Sequence, residues 1–73
     1  MPKLRVLSGK AVCRILESHD FVEVRRRGSH VVMRRGDSGM TTTVPVPDHP
    51  EIKIGTLRSI IRQSGIPKSE FEE

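Results

Sequence analysis

A chain of 73 residues with 34% hydrophobic content, two phenylalanines and neither tryptophan nor tyrosine has room for one small core and no deep, enclosed site. Thirteen Lys and Arg against nine Asp and Glu give a net charge of +4, and the pI near 10 is the electrostatic footprint of a protein that meets polyanions. Cys13 stands alone, which excludes an intrachain disulfide, and no stretch approaches the ~20 apolar residues of a membrane span. The expectation is a cytoplasmic, unprocessed chain that forms one domain over residues 1–73 and has no membrane association.

Ser8 is suited to N-cap a helix, because its hydroxyl can accept a bond from an unpaired N–H one turn on. Val12, Ile15, Leu16 and His19 follow at i, i+3, i+4 and i+7, which predicts a helix from about Ser8 to Ser18 with one apolar stripe. From Phe21 the period becomes two: Val22 and Val24 are expected toward the core, and Glu23, Arg25 and Arg27 toward solvent. Gly28-Ser29 reads as a tight turn and His30–Arg35 as a second strand. Gly36-Asp37-Ser38-Gly39 is another turn signal, and the β-branched run from Met40 to Val46 predicts a third strand. Pro45 and Pro47 place that strand at a sheet edge, since proline cannot donate to a ladder.

Asp48-His49-Pro50 is a connecting loop. A second helix begins around Gly55-Thr56, with Ile54, Leu57, Ile60 and Ile61 as its apolar stripe and Gly65 as its left-handed terminator before Pro67. Phe71 is expected to fold back onto the core. The order is α-β-β-β-α, an α+β fold in which a three-stranded antiparallel sheet carries both helices on one face and leaves the other open. With His30 on the open face beside Arg25 and Arg27, Val31 and Met33 point inward and Val32 outward.

The window Arg25-Arg26-Arg27-Gly28-Ser29-His30 gathers three guanidinium groups, a turn glycine, a hydroxyl and an imidazole. Arg26-Arg27-Gly28-Ser29-His30 resembles the R-x-G-S-H turn of the HicA (YcfA-like) toxins. Thr43-Val44-Pro45 followed by His49, Gly55-Thr56-Leu57-Arg58-Ser59-Ile60 and Gln63-Ser64-Gly65-Ile66 are similar to further motifs of that family, in order, over Ser8 to Phe71. The resemblance implies a fold like that of double-stranded-RNA-binding domains and an mRNA endonuclease that is silenced by a HicB-like antitoxin. It also implies that His30 is the functional histidine. Val31 stands where many members carry a second histidine.

The residues suit that chemistry. Scission of RNA through its own 2′-hydroxyl needs one proton removed, another delivered to the leaving 5′-oxygen, and charge stabilised on the phosphorus. An imidazole, which titrates near neutral pH, serves the proton steps, and arginines serve the charge through paired bonds to phosphate oxygens. The candidate site is therefore His30 as general acid/base, with Arg25, Arg27, Gly28 and Ser29 as the RNA-binding surface and His49 as a possible second acid/base. No spacing of His, Cys, Asp or Glu suggests a metal, and no cofactor is expected. Without Tyr or Trp, recognition falls to the backbone and the 2′-hydroxyl rather than to stacked bases. The alternatives are a non-catalytic double-stranded-RNA-binding module using the same face, and a DNA reader built on Arg58 and Arg62 of the second helix.

Overall fold

The computed structural model describes residues 3–37 and 39–72. In chain order these form α1 (Gly9–Glu17), β1 (Val22–Arg27), β2 (His30–Asp37), β3 (Met40–Pro47), α2 (Ile54–Ser64) and a 3₁₀ turn (Lys68–Phe71). The expected α-β-β-β-α order is the observed one. Of the turn expected at Gly36–Gly39, Ser38 lies outside the described residues.

Ser8 caps α1 as its position demands, its hydroxyl accepting the Ala11 N–H at 3.1 Å. The helix ends where Asp20 takes a positive φ of 72°, a conformation open to few residues besides glycine and to short polar side chains. Gly65 closes α2 in the same left-handed region, its N–H reaching the Ile61 carbonyl at 3.2 Å. Just inside it the buried Ser64 is fully satisfied, donating to the Ile61 carbonyl and accepting from the Ile66 N–H.

The sheet has the order β1-β2-β3 and is antiparallel throughout. Its buried residues, Val31 and Met33 of β2 and Val44 and Val46 of β3, lie on one face and meet Val12 and Leu16 of α1 and Leu57 and Ile60 of α2. Both helices pack against β3. Phe21, Ile52, Ile66 and Phe71 complete the core, with Phe71 brought back by the bond from the Arg5 N–H to its carbonyl at 2.8 Å. β3 is an edge strand, so its two prolines interrupt no central ladder.

β1 departs from simple alternation. The ladder pairs Glu23 with Met33 and then Arg25 with Val32, leaving Val24 as the extra residue of a bulge. Upstream of the bulge the faces are exchanged: Glu23 shares the helix side with Met33, and Val22 shares the open side with Arg34. Val22 and Val24, expected in the core, are 58% and 41% exposed. The bulge turns Val22 to the open face, and the helices, which lean on β3, leave Val24 without an apolar cover. Ile54 is likewise 53% exposed, since the core-facing stripe of α2 runs through Leu57 and Ile60.

Gly9 fixes how closely α1 approaches the end of β3. A Cβ there would run into the Pro47 carbonyl oxygen and lie 2.9 Å from the Asp48 Cα. Gly9→Ala should therefore cost about 1–3 kcal/mol by overpacking. Gly55, with open space around it, should gain up to about 1 kcal/mol on Gly55→Ala through helix propensity. Urea titration of the two variants checks both signs.

Candidate functional site

The register decides what the five arginines between Arg25 and Arg35 can do. Arg27 stands opposite His30, Arg25 opposite Val32, and Arg34 opposite Val22 on one side and Thr43 on the other. Directly paired side chains on one face have Cβ atoms about 4.5–5.5 Å apart. The Arg27 and His30 side chains are therefore immediate neighbours on the open face, with Arg25 and Arg34 further along it in steps of about 7 Å. All four are exposed.

The other two arginines belong to the opposite face. Arg35 lays its guanidinium 4.9 Å from the Phe21 ring centroid and donates to the His19 carbonyl at 3.3 Å. Arg26, paired with the buried Val31, turns toward α1 and donates to Asp48 Oδ2 at 2.7 Å. Three cations on the open face and two in structural contacts is the division that the ladder imposes. Arg34 is a member of the open-face group that the sequence motifs do not single out; counting alternate positions along β2 from His30 finds it.

The turn that presents His30 is held from two directions. Gly28 has φ 57° and Ser29 does not share the positive sign, the pattern of a type II′ turn, which matches the twist of the flanking strands. Asp48, beyond the end of β3, donates its backbone N–H to the Ser29 carbonyl at 2.6 Å while its carboxylate receives Arg26. One residue thus ties down both the turn and the strand that enters it. The hydrogen bond and charge of Arg26 hold the Asp48 carboxyl below the usual carboxylate range, and Asp48 in turn raises Arg26. Both groups face solvent, so the pair positions the hairpin more than it stabilises the fold.

His49 follows Asp48 and is exposed; its carbonyl accepts the Gly9 N–H at 2.9 Å. Its backbone is therefore fixed at the end of the sheet that carries the Gly28-Ser29 turn. His19 is elsewhere, bonded through Nε2 to Glu70 Oε1 at 3.1 Å near the 3₁₀ turn. Cys13 lines a groove of about 180 Å³ between α1 and β1. Burial, reinforced by Glu17, Glu23 and Asp48, pushes its thiol up to about 11, so it is protonated at neutral pH and a poor nucleophile.

A family model described as the HicA toxin of bacterial toxin-antitoxin matches residues 9–66 of the chain. The chain belongs to the HicA toxin family. Membership implies a toxin that is paired with an antitoxin, and the matched span contains every residue of the open-face group and both halves of the Asp48 contact. No individual curated protein matches the chain. Among the described residues, no helix is long and apolar enough to cross a membrane.

The Asp48 contact gives a pH signature. A carboxyl lowered in the folded state contributes above its unfolded value and loses that contribution as pH falls through the lowered folded value. The Arg26 side-chain N–H resonances should follow an acid step whose midpoint lies below 3.8, the ordinary carboxylate value. In Asp48→Asn they should sit at shifted positions already at pH 7 and lack that acid step.

Proposed function

We propose that this HicA-family chain is a metal-independent mRNA endoribonuclease in which His30 is the general acid/base. The observation that carries the reading is the placement of an exposed imidazole directly across a strand pair from Arg27, on an open face that also bears Arg25 and Arg34. His30 takes the proton of a ribose 2′-hydroxyl as that oxygen attacks the adjacent phosphorus. Arg27 and Arg25 stabilise the charge that gathers on the phosphorane oxygens. The leaving 5′-oxygen needs a proton, and His49, anchored beside the turn, is the candidate donor.

Gly28 contributes by its shape and Ser29 by its exposed hydroxyl. With no Cβ and nothing within 4 Å of where one would stand, the Gly28 backbone can approach a phosphate closely. The sheet face offers Pro45, Thr43 and Val32 but no aromatic ring, so contact runs along sugar and phosphate rather than by base stacking. Among the described residues no group of three His, Cys, Asp or Glu side chains is placed to hold a metal ion. The first proton step is assigned to His30 because its imidazole stands exposed beside Arg27. A HicB-like antitoxin would silence the chain by covering this face, and the setting is the cytoplasm, where mRNA is found.

His30→Ala should abolish scission of RNA in EDTA while leaving the amide spectrum of the core intact. Arg25→Ala, Arg27→Ala and Arg34→Ala should each weaken RNA binding and make the salt slope of log K shallower by about 0.7 for every single-strand phosphate no longer neutralised. Binding without scission by the unmodified chain would favour the non-catalytic RNA-binding module. Scission by His30→Ala at the normal rate would remove the histidine from the mechanism.

A further inference from the structure

On the helix side of the sheet, away from His30, lies a cavity of about 330 Å³ lined by Lys3, Leu4, Ile54, Arg58 and Lys68. Every polar side chain in that lining is a cation. Like charges drawn around one concavity repel, and an anionic guest relieves the repulsion. Glu72 Oε2 reaches Lys68 Nζ at 3.9 Å, but Lys68 is largely exposed and a contact of that length is readily exchanged for another carboxylate.

The rest of the lining narrows the choice of guest. Leu4 packs against the core and Ile54 is more than half exposed, so the cations surround an aliphatic floor. A sugar–phosphate chain would satisfy Lys3, Arg58 and Lys68 and offer Leu4 and Ile54 nothing. RNA bound along the open face is also separated from this cavity by the sheet itself. An acidic peptide with an aliphatic side chain between carboxylates matches both features, and the pairing implied by the family supplies a protein to carry it.

We propose that this cavity docks an acidic, aliphatic-anchored segment of a protein partner. The aliphatic side chain enters beside Leu4 and Ile54, and the flanking carboxylates meet Lys3, Arg58 and Lys68. A partner gripped here leaves the His30 face uncovered, so tethering and silencing are separate acts. The proposal rests on the family's pairing and is independent of catalysis by His30.

The test uses the full ¹⁵N-labelled chain and the synthetic peptide acetyl-Glu-Glu-Leu-Glu-Glu-amide. Saturable shifts are expected at the Leu4, Ile54, Arg58 and Lys68 amides, with none from Arg25 to His30. Joint Arg58→Glu and Lys68→Glu substitution, at two exposed positions, should weaken the peptide about tenfold. Replacing the central leucine of the peptide by serine should also weaken binding. His30→Ala should leave binding unchanged, which separates failure here from failure of the nuclease reading. Shifts confined to the Arg25–Arg27 strand, equal affinity for the serine peptide, or stronger perturbation of the cavity amides by inorganic phosphate or an RNA oligonucleotide would each overturn the proposal.

Discussion

Between Glu23 and Arg25 the ladder joining β1 to β2 absorbs one unpaired residue, and the surface chemistry of the protein depends on that step. Because side chains alternate with a period of two, a one-residue slip exchanges the faces of everything on one side of it. Downstream of Val24 the strand delivers Arg25 and Arg27 to the open face and Arg26 to the helix side. Upstream it delivers Glu23 to the helix side, where it adds to the field that keeps the Cys13 thiol protonated. Had the alternation run unbroken, Glu23 would stand among the open-face cations. The bulge keeps that face free of a carboxylate where β1 contributes to it.

The open face then owes its geometry to contacts made on the other side of the sheet. Gly9 lets α1 come against the Pro47 carbonyl, which fixes the end of β3. From that fixed end Asp48 reaches the Ser29 carbonyl and the Arg26 guanidinium. A two-residue turn with one left-handed glycine is short enough to have little freedom of its own, and these bonds remove more of it. In this way an exposed histidine on a chain of 73 residues acquires a defined position without being buried. On the proposed reading, a shallow position of this kind leaves the ring open to a long substrate and equally to a covering partner.

Much of this is legible in the chain. Ser8, Gly65 and the Gly28-Ser29 pair mark their elements through local chemistry, and the alternation in Val31, Val32 and Met33 correctly sends His30 outward. The family motifs lead to the same window. What alternation cannot reveal is a bulge or where the helices stop covering the sheet: Val22 and Val24 look like core residues, yet the bulge turns Val22 to the open face and both helices lean on β3, away from Val24. Ile54 departs from expectation for a related reason, being the first residue of a helix whose buried stripe starts a turn later. Asp48 and Gly9 act through residues distant in sequence, 22 positions away in the case of the Asp48 pair with Arg26, and no local pattern announces them.

On the proposed reading the two faces of the sheet divide the work: proton transfer and phosphate contact on one, packing and a cationic cavity on the other. The nuclease reading stands on attack by a ribose hydroxyl next to His30, and the chemistry of the product ends tests it most directly. Mass spectrometry of RNA fragments made in EDTA should find 2′,3′-cyclic phosphates paired with 5′-hydroxyls, and a 2′-deoxy substitution at the cut site should block scission. Fragments ending in 3′-hydroxyl and 5′-phosphate, or unimpeded cutting of the deoxy substrate, would contradict it.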